Sequence, residues 1–271
     1  MKPEVRKELR ILLATSIQDK IRKYNPETES KPFFEAIFSK KTVNLASLIQ
    51  SFYTSFGTSI YEQMAVLLAR KNAGYVAERQ YVLLGRIDPS TEIMINDIHL
   101  GILRSKVQGS KEEQIERIRN SIKQGSPDRD PESIVDLFVK TPFGGEFYFD
   151  VTSVKPNIKE FRTLKKKLLR WVALRLSTDK AAKVKTALAI PYNPYHPKPY
   201  ARWTARNLYD SGEMLVGPDF WNFVAGEEIY EELLDVFREV GKELHPIINN
   251  AVSSDAHQSI LPTRDPVSSK P

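Results

Sequence analysis

Residues 133–157, SIVDLFVKTPFGGEFYFDVTSVKPN, hold Asp136, Asp150 and Lys155 in one short segment. Two carboxylates suit a hard divalent cation such as Mg²⁺, which keeps waters and substrate phosphate oxygens as its remaining ligands. An ammonium group beside them stabilises charge developing on a phosphate under attack, or orients the attacking water. These are the parts from which hydrolysis of a phosphodiester is built, with Asp136 and Asp150 as metal ligands and Lys155 as the cation. A single aspartate on a strand is usually a solvated, outward-facing residue. Aspartate is nevertheless depleted in strands, and two of them in one otherwise apolar pair argue for a use.

The elements that position these groups form a β-hairpin. Residues 134–140 and 146–154 are rich in β-branched and aromatic side chains, and Thr141-Pro142-Phe143-Gly144-Gly145 between them is turn chemistry. Asp136 falls on the first strand and Asp150 on the second, with Lys155 on or just past it. Pro127-Asp128 upstream is another source for the first carboxylate, but SPDRDPES reads as a loop, which holds a side chain less rigidly than a strand does.

Asp136, a hairpin, then Asp150 with Lys155 resembles the PD-(D/E)xK nuclease core that many type II restriction endonucleases share. More specifically, FYFDVTSVKPN followed by FRTLKKKLLRWVALRLS and AIPYNPYHPKPYARW is similar to the TdeIII-type enzymes, over residues 136–221. The resemblance implies Mg²⁺-dependent double-strand cleavage at a short palindrome of the GGNCC kind, with a cognate DNA methyltransferase as a functional partner. Nucleases of this class often take an extra metal ligand from a preceding helix, which points to Glu62 in TSIYEQMAVLLAR. Equally, Ser59-Ile60-Tyr61-Glu62 matches a capping box in which Glu62 reaches back to the Ser59 amide. The usual motif places its lysine two residues after the second carboxylate, on the same face of the strand. Here that position is Thr152, and Lys155 follows Asp150 by five residues, a spacing that reverses the facing. A bulge, or the bend before Pro156, brings it back. The competing register, Ser153-Val154-Lys155, keeps the spacing but has serine in place of the acid.

Residues 158–177 follow with Phe161, Leu164, Leu168 and Val172 at helical spacing for one buried face. Lys159, Arg162, Lys165, Lys166, Lys167, Arg170 and Arg175 are opposed on that helix only by Glu160. A basic helix beside a carboxylate site suits a DNA backbone, with Lys159 and Arg162 nearest the hairpin and Lys165 and Lys166 next. A further buried strand is expected at 183–191. The prolines of YNPYHPKPYARW then forbid a helix. Arg202 and Arg206 are candidates for reading guanine in the major groove, while most of the loop tyrosines are expected to pack on the core. His196 has no second ligand nearby in sequence and is poor evidence for zinc.

The chain has 271 residues, 41% of them hydrophobic, enough for one substantial core. Its net charge of +6 favours an acidic partner. There is no cysteine, so disulfides and thiolate metal sites are excluded. No apolar run is long enough for a membrane and no signal peptide is evident, so a cytoplasmic enzyme is the simplest expectation. Helices are expected at 3–23, 43–71 and 112–123; 81–94 is ambiguous. An acidic amphipathic helix at 227–243, with Ile229, Leu233, Leu234 and Phe237 as its seam, should pack on the core or on a second subunit.

The expected architecture is α/β, a mixed central β-sheet flanked by helices like the restriction-endonuclease core. Residues 1–125 form a mainly helical part packed on the core, 126–250 the nuclease core, and 251–271 a flexible tail. A palindromic site in double-stranded DNA matches a two-fold protein, hence a homodimer. Two other readings stay open: a non-cleaving DNA-binding module with a nuclease-like fold, to which Thr152 in the usual lysine position lends support, and a structure-specific repair nuclease.

Overall fold

The structure, a computed structural model, describes residues 1–24, 31–104, 110–123, 129–152, 155–201, 209 and 212–253. Pro127-Asp128, Ser153 of the competing register, Arg202, Arg206 and the tail beyond 253 therefore lie outside the described residues.

Five strands form one mixed sheet in the order β1 (Val76–Val82), β2 (Ile134–Lys140), β3 (Gly145–Val151), β4 (Lys183–Ile190) and β5 (Met214–Val216). The first two pairings are antiparallel and the last two parallel. The hairpin arises where its residues predict it: Gly144 takes φ 78°, which the turn demands and a side chain resists. β1 falls in a stretch the sequence leaves unassigned, because Glu78, Arg79 and Gln80 are three polar residues in a row and mask the alternation that marks a strand.

Each face of the sheet has its own layer of helices. On one lie α1 (Pro3–Lys23), α4 (Tyr61–Leu67), α8 (Pro218–Ala225) and α9 (Tyr230–Ser253), packed over Leu137, Val139, Phe149 and Ala187. On the other lie α5 (Pro89–Leu103), α6 (Lys111–Ser121) and α7 (Ile158–Thr178), packed over Val135, Phe138, Tyr148 and Leu188. Two further helices, α2 (Pro32–Ile37) and α3 (Lys40–Ser55), precede α4. The α/β expectation is met. The acidic helix α9 packs on the core, and Glu239 and Glu243 receive Arg6 and Arg10 of α1 at 2.6 and 2.5 Å. Its buried stripe is Leu233, Val236, Val240 and Leu244, with Ile229 buried just ahead of the helix and Leu234 and Phe237 only partly buried.

Two local features set up the site. α3 runs on into α4 through a π-helical turn, Phe56–Ile60, so Ser59 is mid-helix and caps nothing. Its hydroxyl accepts instead from Gln63 Nε2 at 2.8 Å, which frees Glu62 from the capping box the sequence allowed. At the start of α7, Asn157 Oδ1 accepts from the amides of Lys159 and Glu160, and Glu160 Oε2 accepts from the Asn157 amide at 2.6 Å. This capping box, worth ~1 kcal/mol for its side-chain cap, fixes where α7 begins and hence which residues face the sheet. α7 then crosses from β3 to its parallel neighbour β4, as a parallel pair requires. From Leu168 to Leu176 it is enclosed nearly all round, with Trp171 fully buried. Gly85 explains how the chain after β1 passes so close to it: a Cβ there would stand 2.2 Å from the Leu174 carbonyl oxygen.

Candidate active site

The β2–β3 register pairs Leu137 with Phe149, and one step further it sets Asp136 across from Asp150. The ladder stops at that step, and Asp136 Oδ2 accepts the Val151 amide at 2.9 Å. On the other side, β1 pairs Arg79 with Leu137 and Tyr81 with Val135, leaving Gln80 opposite Asp136 without a ladder pair. Gln80 has φ 50°, a left-handed conformation that costs a non-glycine residue on the order of 1–3 kcal/mol. The two strands exchange faces at this break. Ala77, Leu137 and Val139 belong to the α1/α4/α8/α9 core, whereas Leu83 and Val135 belong to the other. Asp136 therefore stands where the sheet turns over and both helix layers come within reach.

From one layer, α4 brings Glu62, 2% exposed. Gln80 Nε2 donates to its two oxygens at 3.1 and 3.0 Å, and Arg79 Nε donates at 3.2 Å. From the other layer, α7 brings Lys167, whose Nζ lies 2.5 Å from Asp150 Oδ2. Asp136, Asp150 and Glu62 are thus brought within electrostatic reach of one another. Gln80, Arg79 and Lys167 are additions: the first two lie on the unassigned strand, and Lys167 was one cation among seven on its helix.

Burial, followed by the charge of Asp150, pushes the Asp136 carboxyl up to about 6, with Glu62 adding to the effect against Lys167 and the Val151 amide. Burial also raises Glu62, against Gln80 and Arg79. A carboxyl with a raised folded value holds its proton more tightly when folded. Its charge therefore costs nothing below the unfolded value near 4, and stability is lost as pH rises through about 6. Asp136→Asn is accordingly expected to stabilise the protein at pH 8 without divalent ions by roughly 1–3 kcal/mol, and not at pH 4. Urea denaturation at the two values measures it; equal stability of variant and wild type at pH 8 would refute it.

The same repulsion makes the pair receptive to a hard divalent cation. Among the described residues no three acidic or histidine side chains form a metal cage by themselves. The donor set that fits is two carboxylates completed by water and phosphate oxygens, while Glu62 is occupied by its hydrogen bonds from Gln80.

A cavity of about 790 Å³ opens beside β3, its wall including Thr152, Lys155, Lys159 and, from α3, Tyr53 and Thr54. Lys155 is exposed, with its ammonium 5.6 Å from the centre of the Tyr195 ring. Lys159 and Arg162 are exposed and form no ion pair among the described residues, which suits phosphate contact. Lys165 is a correction: it is 0% exposed and bound to Glu213 at 2.5 Å, so it faces the interior, not DNA. Lys166 pairs with Glu92 of α5 at 3.5 Å, and Arg175 with Glu146 of β3 at 2.6 Å. Arg170 meets Glu92, Asp130 and Glu132. Counting charges along α7 alone missed these acids because they come from other elements.

A family model described as HinfI, type II restriction endonuclease, matches residues 1–241. The type II restriction enzymes HgiCII and HgiEI of Herpetosiphon aurantiacus are each 26% identical to this chain, over 216 and 220 residues, covering 78% of it and 77% of each of theirs. MjaII of Methanocaldococcus jannaschii, also a type II restriction enzyme, is 24% identical over 224 residues, 74% of this chain and 56% of its own.

Proposed function

This chain belongs to the HinfI family of type II restriction endonucleases, and we propose that within it the protein is a Mg²⁺-dependent enzyme cutting at a GGNCC-like palindrome as a homodimer. Site-specific cleavage of double-stranded DNA, with a divalent metal, comes with the family. The finer reading rests on the sequence resemblance to the TdeIII type and to the PD-(D/E)xK core. The single observation that supports it best is the meeting of the Asp136 and Asp150 carboxyls one step beyond the last paired residues of β2 and β3, beside a cavity whose wall carries Lys155 and Lys159.

In this reading Asp136 and Asp150 hold Mg²⁺, which when bound neutralises charge on the phosphate and makes a water more acidic. Glu62 stands by as an additional ligand, its carboxylate oriented by Gln80 and Arg79. Lys155, Lys159 and Arg162 bring the phosphate backbone to the carboxylates, and Arg202 and Arg206 read bases. The wild-type host needs a methyltransferase modifying the same site. Among the described residues no helix is long and apolar enough to cross a membrane.

The test is to incubate the purified protein with unmethylated phage DNA and Mg²⁺. Discrete fragments whose ends map to one GGNCC-like palindrome, lost on chelation, are the expected result. Binding with no cutting would replace this reading by a DNA-binding module, and cutting confined to branched substrates by a repair nuclease.

A further inference from the structure

We propose that Lys167, carried by helix α7, supplies the ammonium group that meets the scissile phosphate, in the role that a strand lysine at position 152 would otherwise fill. The inference rests on the reading above, in which Asp150 is a metal ligand.

Three observations carry it. Lys167 Nζ touches Asp150 Oδ2 at 2.5 Å, so this cation already stands beside the carboxylate where a phosphate would arrive. Its place is built: Nζ lies 4.8 Å from the centre of the Trp171 ring, one helical turn on, and the indole is fully buried with Nε1 donating to the Glu132 carbonyl at 2.8 Å. The side chain keeps 26% of its surface exposed, unlike the fully buried Lys165 two residues earlier, so a substrate can reach it. Its three basic neighbours Lys165, Lys166 and Arg170 are committed to acids outside the site. Lys167 alone of the four is held by a candidate metal ligand, a partner that a divalent cation would claim.

Hydrolysis forms a bond from a water oxygen to phosphorus and breaks the one to the leaving ester oxygen. A water proton passes to bulk water, and the leaving oxygen takes one up from it. Lys167 keeps its three protons throughout and donates hydrogen bonds to a non-bridging phosphate oxygen, whose negative charge grows during the attack.

The alternative is that Lys167 merely neutralises Asp150, in which case saturating Mg²⁺ would replace it and restore the rate. Lys167→Met retains an aliphatic stem over Trp171 and removes the charge. It is expected to fold cooperatively, melting somewhat below wild type because Asp150 loses its ion-pair partner, to bind specific DNA in Ca²⁺, and to bind Mn²⁺ more tightly in calorimetry because the competing ammonium is gone. Turnover at saturating Mg²⁺ and DNA should fall at least about 100-fold, with partial recovery in Lys167→Arg. Wild-type turnover by Lys167→Met while Asp150→Ala is inactive would overturn the inference and leave the metal site standing. Cutting by both variants would remove the metal site as well.

Discussion

Asp150→Ala is expected to lose cleavage by about 10³-fold or more while still folding and binding DNA. Asp150 is the point at which a β3 carboxylate, the Asp136 carboxyl across the strand pair and the Lys167 ammonium meet. Removing it takes away half of the proposed metal donors, a loss on the scale of deleting a group aimed at developing charge. The side chain lies between strand and helix and contributes little apolar packing, so the melting temperature should move by only a few degrees. Asp150→Asn, which keeps the shape, should be as inactive as alanine. Both variants should also lose any strengthening of specific binding by Ca²⁺. Single-turnover cleavage within tenfold of wild type would show that the chemistry happens elsewhere.

The second large effect is on stability and lies outside the cleavage site. Glu213 is 1% exposed and takes Lys111 Nζ on Oε1 at 2.7 Å and Lys165 Nζ on Oε2 at 2.5 Å, tying α6 and α7 to the segment leading into β5. Burial raises its carboxyl, but the two ammonium groups more than offset this and hold it below the usual range. Breaking a buried pair strands a charge and costs roughly 3–5 kcal/mol, and here two lysines lose the same partner. Glu213→Ala should therefore lose at least that much in urea denaturation at pH 7. A lowered folded value means that the contribution is complete above about pH 4.5 and fades as pH falls below it, so wild type and variant should converge in acid. A loss under about 1 kcal/mol at pH 7 would show that the lysines find adequate alternatives.

Much of this was legible in the sequence where a signal is local. The hairpin, α1, α7 and β4 follow from turn residues, caps and periodicity within a few positions of themselves, and Asp136 and Asp150 could be picked out because both stand on predicted strands. What was hidden depends on partners distant in the chain. Lys165 looks like a surface cation until Glu213, 48 residues on, is brought against it. Glu62 looks like a cap until the helix proves continuous and Gln80 arrives from a strand whose polar run concealed it. Lys167 is indistinguishable from its neighbours by type or spacing; only the rotation of α7 over β3 singles it out. The sequence weighed Asp150 with a displaced Lys155 against the Ser153-Val154-Lys155 register, both along the strand, whereas the ammonium in contact with Asp150 comes from α7.

The order of strands across the sheet, β1 to β5 without interruption, is also the order of their synthesis. Each strand can add to the free edge left by the one before, and no gap waits for a later segment. Asp136 and Asp150 face one another as soon as the hairpin closes, but Lys167 comes into place only with the crossover helix that the parallel neighbour requires. A chain ended before position 167 therefore carries both acids without the ammonium that touches Asp150. If Lys167 serves as proposed, building the sheet in chain order delays cleavage competence until the core is nearly finished.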